Sequence, residues 1–527
     1  MRNLIVVGSG IAGLFTALSA HRRGVRDVLI VTKAALEEST TRYAQGGIAA
    51  AVGDGDSWAL HEADTLGAGA ELCDSEAVRV LVADAAERVA DLIRFGVRFD
   101  TENGRLAYAR EGAHRIARVL HAGGDATGKH IELALAQAVR ERGIEVRDCT
   151  FVSELIVNAG MCRGVRLSEG GAIEAEAVVL AAGGAGQLYA CTTNPSVSTG
   201  DGVALAVRAG AVVADLEFFQ FHPTAFAGSG ARHFLISEAV RGHGAVLRNH
   251  LGEAFMARYD ERRELAPRDI VARSIVQEME RHDLPSVWLD ATEFPRGEFA
   301  RRFPTIHAHC VRQGCDPERE PIPVSPAAHY MMGGVWTDTW GKTSVPGLFA
   351  CGETASSGVH GANRLARNSL LEGVVFGARV AQALTTPSAP NLRRRTVPHV
   401  EELTLGRRAN VTLPVRERMR ALMWDEIGIR RHQAGLDRAR AVLETWASAL
   451  PDNGVESHET ANLALVGWAM AEAALRREES RGAHYRIDFP DLRREWRRRQ
   501  LFVVRPRPVL GTPVIGEAHR AGMEVLS

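Results

Sequence analysis

Gly8-Ser9-Gly10-Ile11-Ala12-Gly13 is the first stretch able to do chemistry: it follows the apolar run Leu4 to Val7 and opens a helical stretch from Leu14 to about Arg23. Between a strand and a helix, such a turn is a phosphate cradle. The first glycine permits the tight bend, Gly10 lets backbone N–H groups approach a pyrophosphate, and Gly13 lets the helix pack on the strand with its N-terminus toward the phosphates. Glycine-rich loops are common, so the placement decides. Here a second strand, Val28 to Val31, completes the strand, turn, helix, strand order of a dinucleotide-binding unit. That second strand runs into Val31-Thr32-Lys33, without the acid that binds the ribose 2′-hydroxyl of NAD. The departure argues against a standard NAD site and leaves the adenosine ribose contact open. The cysteines Cys73, Cys149, Cys162, Cys191, Cys310, Cys315 and Cys351 form no CxxC pair, so no metal is expected and they read as reduced, mostly buried thiols.

Positioning such a turn requires a parallel sheet, and further strands are legible. Ala177 to Ala182, running into Gly183-Gly184, and Gly347 to Ala350, running into Cys351-Gly352-Glu353, are short apolar runs of the kind buried in parallel sheets. The nucleotide fold is therefore interrupted and resumed. From about Leu216 to Pro326 the chain is less regular and rich in His, Arg and Phe, the composition of an inserted domain. After Pro387 the periodicity is helical: Val415 to Ile427, Gln433 to Ala449 and Glu459 to Ser480 carry apolar residues at three- and four-residue spacing. The expected fold is α/β: a Rossmann-like nucleotide-binding domain (1–215 and 327–386) interrupted by an α+β capping domain (216–326), then a C-terminal helical bundle (399–500), with 387–398 a Pro- and Arg-rich linker.

A chain of 527 residues exceeds what one core supports. With 46% hydrophobic and 24% charged residues it has the composition of a folded soluble protein, and a net charge of −1 gives no global attraction to nucleic acid or a membrane. No apolar run approaches the length of a membrane span and no charged leader precedes Leu4, so a cytoplasmic location is expected. Arg493, Arg494, Arg497, Arg498 and Arg499 prompt a nucleic-acid-binding or RNA-modifying alternative. As helical arginines mixed with acids they read instead as a solvated face.

Thr40-Thr41-Arg42-Tyr43-Ala44-Gln45-Gly46-Gly47-Ile48-Ala49 changes the level of specificity. With Thr199-Gly200-Asp201-Gly202, Gln220-Phe221-His222-Pro223-Thr224, Leu265-Ala266-Pro267-Arg268-Asp269, Pro326-Ala327-Ala328-His329-Tyr330 and His360-Gly361-Ala362-Asn363-Arg364, the chain resembles the flavoproteins of the succinate dehydrogenase, fumarate reductase and L-aspartate oxidase superfamily, most of all the aspartate oxidase branch. The resemblance runs from the first strand to about Phe489.

It implies FAD as cofactor, with Gly8, Ser9, Gly10, Ile11, Ala12, Gly13 and Lys33 in the binding site. Thr40, Thr41, Arg42, Tyr43, Ala44, Gln45, Gly46 and Gly47 would lie along the flavin, Asp201 and Glu353 would contact the cofactor, and Ser369 and Leu370 would present backbone to the ring. For Glu353 a solvated loop acid is the alternative, and for Asp201 a helix N-cap. The resemblance also implies that His222, His329 and Arg364 hold substrate carboxylates, with Ser237 a hydroxyl donor and Arg268 at the reacting centre.

Two positions separate the branches. Membrane-complex relatives attach FAD through a His where this chain has Thr40, so the flavin is expected to be non-covalent. Glu111 matches the acid with which aspartate oxidases recognise the substrate ammonium, its alternative being a helix-start acid. His243 departs from the pattern, standing where the branch tends to carry an acid. The implied reaction is oxidation of L-aspartate to iminoaspartate, with O2 or fumarate reoxidising the cofactor and quinolinate synthase taking the imine toward NAD. A soluble fumarate reductase or succinate-oxidising flavoprotein is the alternative. No nucleic-acid or membrane partner is implied.

Overall fold

The computed structural model describes residues 1–228, 233–386, 399–406, 411–449, 451–452 and 454–506. Strand Arg2–Val7 pairs in parallel with Val28–Val31 on one side and with Ala172–Leu180 on the other, placing Ile5 opposite Leu29 and Val178. Glu145–Arg147 and Leu348–Ala350 extend the parallel set. The first half of Ala172–Leu180 instead joins an antiparallel meander with Met161–Leu167 and Val152–Asn158. Continuous apolar strands follow from burial on both faces. Leu4 and Val6 enter a core with helices Ile11–Arg22 and Asn368–Thr385. Ile5 and Val7, pointing the other way, meet the meander and helix Asp201–Arg208.

The glycine turn is sterically locked. Gly8 has φ +111, and a Cβ on Gly13 would lie 2.1 Å from the Gly8 carbonyl oxygen. Only hydrogen at position 13 lets the helix sit this close to the turn.

Between Val213–Ala214 and Gly334–Trp336 the chain builds an antiparallel sheet in the order Phe219–Phe226, Ile322–Met331, Val287–Asp290, Val246–Arg248. Its first and last strands in sequence are neighbours, with His222 opposite Ala327 and Gln220 opposite Tyr330. The insertion thus leaves and returns through paired strands, and both carry site motifs. Helices Arg268–His282 and Pro304–Arg312 complete this α+β unit over a core that includes Phe226, Leu247, Phe255, Ile275 and Phe299.

The three expected C-terminal helices are Arg416–Ile427, Gln433–Ala447 and Val455–Arg476. The last is buried along most of its length, including Trp468, and so carries apolar residues all round. Beyond them the sequence reading missed strand Leu501–Pro506, which pairs with Val213–Ala214 and Glu401–Leu405 and ties this part of the chain into a five-stranded sheet. The arginines from Arg493 to Arg499 are not helical beyond one 3-10 turn, Arg494–Trp496. Arg499 binds Asp215 at 2.6 Å and Arg498 lies over Trp496, so these side chains are engaged within the fold. The linker expected at 387–398 lies outside the described residues. All seven cysteines are free, with Cys149 exposed rather than buried.

Gly13→Val is expected to force helix and turn apart, lowering stability by about 1–3 kcal/mol, and thermal unfolding of the holo and apo forms would register it as a lowered midpoint in both.

Candidate active site

At the C-terminal ends of Arg2–Val7 and Val28–Val31 the structure encloses a cavity of about 450 Å³, within the usual size of cofactor sites. Its wall holds Gly8, Ser9, Gly10, Ile11, Ala12, Lys33, every residue from Thr40 to Gly47, Asp201, Glu353, Ser369 and Leu370. Gly13 stands behind the wall as a packing residue. Helix Ile11–Arg22 starts at the cavity with Gly10 as N-cap and no side-chain capping bond. An uncapped helix start carries N–H donors and partial positive charge, which suits a pyrophosphate. The Ile11 N–H is already held by Thr41 Oγ1 at 3.0 Å, which fixes the 40–47 segment against the turn.

The polar residues of the wall are individually constrained. Lys33 Nζ donates to Thr199 Oγ1 at 2.5 Å, Asp201 Oδ2 at 2.7 Å and Glu459 Oε1 at 2.6 Å, so its ammonium links the cavity to the C-terminal helices. Asp201 is not an N-cap. That position is Gly200, at φ 71, and the Asp201 carboxylate accepts from Lys33, Thr199 and Asn462. Thr40 Oγ1 and Ser198 Oγ share a hydrogen bond at 2.9 Å. Glu353 lies in the turn Gly352–Thr354, half-buried, and accepts from the Met331 N–H at 2.9 Å; it is a wall residue and not a solvated loop acid. Burial lifts its carboxyl to about 7.

Beside this cavity the distant motifs converge. Gln220 Oε1 accepts from Arg268 Nη1 at 3.1 Å and from Arg364 Nη2 at 2.9 Å, so two guanidiniums share one amide oxygen. The rings of His222 and His329 stand edge to face with centroids 5.1 Å apart. His329, Arg364 and Arg367 reach the cavity wall. Burial, reinforced by Arg268, pushes both imidazoles well below 6.5, so they are neutral at physiological pH and serve as hydrogen-bonding groups. His329 Nδ1 is engaged by Thr193 Oγ1 at 2.8 Å, which fixes the ring.

Carboxylates offset part of this charge. Arg268 Nε donates to Glu238 at 2.6 Å, and Arg367 Nε donates to Glu111 at 2.5 Å. Glu111 is buried in the loop between Tyr108–Ala109 and Val119–Leu120, not at a helix start. Burial alone would raise its carboxyl, but Arg367 and His121 hold it low. Ser237 caps helix Glu238–Gly242 and also accepts from Arg367 Nη2 at 3.0 Å, so its own O–H proton is free to be donated. His243 lies away from this group, bonded to Glu298 and packed on Phe294.

Sequence reasoning missed Gln220 as a side-chain hub, although its motif was marked. It also missed Glu238 and Arg367, the ion partners of Arg268 and Glu111. For Arg367 a signal existed, three residues beyond Arg364. Its left-handed φ of 70, at the N-cap of helix Asn368–Thr385, turns the guanidinium toward Gly46, where any Cβ would collide with it.

Residues 3–370 match the FAD binding domain family and residues 416–509 the fumarate reductase flavoprotein C-term family. The L-aspartate oxidase of Streptomyces coelicolor is 48% identical over 516 residues, covering 93% of this chain and 89% of that protein. The chain belongs to the L-aspartate oxidase family. Within this family the likeness extends to the L-aspartate oxidase of Synechocystis, 44% identical over 94% of this chain and 95% of that protein. It extends also to the chloroplastic L-aspartate oxidase of Arabidopsis thaliana, 42% identical over 92% and 81%. The E. coli quinol fumarate reductase FrdA superposes with a TM-score of 0.84 at 30% identity over 94% of this chain and 92% of that one. As an L-aspartate oxidase family member the chain is an FAD-dependent flavoprotein, and the uncapped helix start, the glycine cradle and the cavity suit that cofactor. No helix among the described residues is long and apolar enough to cross a membrane.

With its carboxyl near 7, Glu353 becomes a full carboxylate acceptor for cofactor hydroxyls only as pH rises through neutrality. FAD binding to the apoprotein is therefore expected to tighten as pH rises from about 5.5 to about 8, by up to about tenfold per unit below the pKa and levelling above it. Fluorescence-quenching titrations should show the dependence in the wild type and a flat profile in Glu353→Gln.

Proposed function

We propose that this protein oxidises L-aspartate to iminoaspartate, the step that opens quinolinate and NAD biosynthesis, using FAD bound without a covalent link. The observation that carries the reading is the sharing of Gln220 Oε1 by Arg268 and Arg364 beside two neutral imidazoles at the edge of the cofactor cavity. A four-carbon diacid must lose the hydration of both carboxylates there, which is costly unless fixed cations and strong donors replace the water.

Arg364, His222 and His329 are suited to one part of that task, and Arg268 and the Ser237 hydroxyl to another. Clamping both carboxylates fixes the direction of the Cα–H bond, and such positioning contributes roughly 7–11 kcal/mol in the best intramolecular cases. Bound FAD supplies the two-electron acceptor. Oxidation then removes a hydride from Cα and a proton from nitrogen, leaving a C=N bond. Arg268, whose Nε is committed to Glu238, acts as an electrostatic stabiliser, because a guanidinium seldom yields its proton.

Choosing aspartate over succinate rests on Glu111. Arg367 holds its Oε2, while its buried Oε1 has no hydrogen-bond partner among the described residues. An unsatisfied carboxylate oxygen is an acceptor for an ammonium, a group succinate lacks. Reoxidation by O2 or fumarate and delivery of the labile imine to quinolinate synthase belong to the same reading. The likeness to a quinol fumarate reductase supports the second one, a soluble fumarate reductase or succinate-oxidising enzyme, since the diacid clamp serves both.

Arg268→Leu is expected to retain FAD yet lose flavin reduction by L-aspartate, by about 10³-fold or more in anaerobic stopped-flow bleaching; an unchanged rate would remove Arg268 from the chemistry. Glu111→Gln should depress aspartate oxidation far more than fumarate reduction, and equal losses in the two assays would favour the second reading. Acid precipitation of the holoenzyme should leave all the yellow colour in the supernatant, as Thr40 offers no imidazole for attachment.

A further inference from the structure

Arg364 differs from the other two guanidiniums of the site. Arg268 is paired with Glu238 and Arg367 with Glu111. Arg364 is 3% exposed, yet its side-chain hydrogen bonds run to neutral oxygens, Gln220 Oε1 at 2.9 Å and Ser369 Oγ at 3.2 Å. Its Nε has no hydrogen-bond partner among the described residues. A buried cation without a direct counter-ion is costly, so something else must hold it.

What faces it is the ring of Tyr330, whose centroid lies 4.5 Å from Arg364 Cζ, inside cation–π range. The phenol of Tyr330 is bonded in turn: its O–H donates to Glu372 Oε2 at 2.9 Å. Glu372 is buried on helix Asn368–Thr385, accepts from Ser357 Oγ at 2.5 Å and meets His360 Nε2 at 2.8 Å. The His360 ring stands edge to face with Tyr330, centroids 5.3 Å apart, and its Nε2 also lies 3.3 Å from the phenol oxygen. A phenol that donates to a carboxylate carries more electron density in its ring, which strengthens the ring's attraction for a cation on its face.

We propose that Tyr330 and Glu372 are positioning residues for the reaction, with Glu372 acting through the Tyr330 ring to keep Arg364 charged and flat, so that the counter-ion Arg364 lacks is the substrate's carboxylate. This rests on the diacid reading of the site above. Leaving the counter-ion to the substrate makes the site favour the bound state, because binding satisfies a charge that folding left uncompensated. Pairing Arg364 directly with an acid would have spent that attraction inside the protein.

Groups from every neighbouring element bear on this charge. Burial, Arg268 and Arg367 all work against the Arg364 charge, and the Glu353 carboxylate supports it.

The test uses the full-length holoenzyme and succinate, a diacid without an ammonium, followed by the flavin absorbance change on binding, with kcat and KM for L-aspartate measured alongside. Tyr330→Leu is expected to weaken succinate binding roughly 2- to 30-fold, the range of a cation–π contact, and to raise KM more than it lowers kcat. Tyr330→Phe and Glu372→Gln should each give a smaller loss in the same direction. The double variant Tyr330→Phe with Glu372→Gln should bind succinate little worse than Tyr330→Phe alone, since the phenol is the direct contact between Glu372 and the ring. If Glu372→Gln costs as much on top of Tyr330→Phe as it does in the otherwise wild-type protein, Glu372 is a structural residue and the proposal is overturned. An unchanged succinate affinity in Tyr330→Leu overturns it as well. Tyr330→Phe keeps the ring in place and so answers the question even where the larger change disturbs folding. A wild type that binds succinate and bleaches with L-aspartate, with variants that match it, condemns this proposal alone; a wild type that does neither condemns the diacid reading and this proposal with it.

Discussion

Positive charge gathered where water is scarce is the constraint that organises this protein. Arg268, Arg364 and Arg367 are all buried, and each must be held by something other than solvent. Two are met by carboxylates, Glu238 and Glu111, and the third by a glutamine oxygen and an aromatic face. The same scarcity of water keeps His222 and His329 neutral, so they add donors and acceptors without adding charge. A site built this way is short of anions, and a small diacid is the natural complement.

Delivering these side chains falls to the strand pairing of the inserted unit. Strands Phe219–Phe226 and Ile322–Met331 lie side by side, so Gln220 and His222 on one reach the level of His329 and Tyr330 on the other. Register shifts along this pair break the strict alternation of faces. Helix Arg268–His282 begins with the catalytic candidate at its first turn, and helix Asn368–Thr385 begins just after Arg364 and Arg367. Strand pairing and two helix starts therefore aim groups from four parts of the chain at one place, on rigid elements.

The nucleotide half of the site answers to a different demand, close approach. Gly8 and Gly13 remove side chains where turn and helix touch, and Gly46 clears room for the Arg367 guanidinium. That last contact joins the two halves: the segment expected to lie along the cofactor leaves space for the guanidinium that pairs with Glu111. Lys33, bonded to Asp201 and Glu459, extends the connection to the C-terminal helices, which is a physical reason for those helices to matter to a cavity they do not line.

The amino-acid sequence by itself determined what depends on near neighbours. The strand, glycine turn and helix at the N-terminus, the apolar runs of the parallel sheet and the three C-terminal helices are set by periodicity and backbone freedom within a dozen residues, and they are legible for that reason. So were the chemical types in the motifs, His222, His329, Arg268 and Arg364, together with the absence of a histidine at Thr40. Only the tertiary structure decided which charge meets which. That Glu238 belongs to Arg268, that Glu111 belongs to Arg367 and keeps one oxygen without a hydrogen bond, that Asp201 serves Lys33 rather than a helix end, and that Arg364 is left to Tyr330, all depend on residues far apart in the chain. Electrostatic partners in a buried site are chosen by distance and desolvation, and neither quantity exists until strands and helices have closed around them.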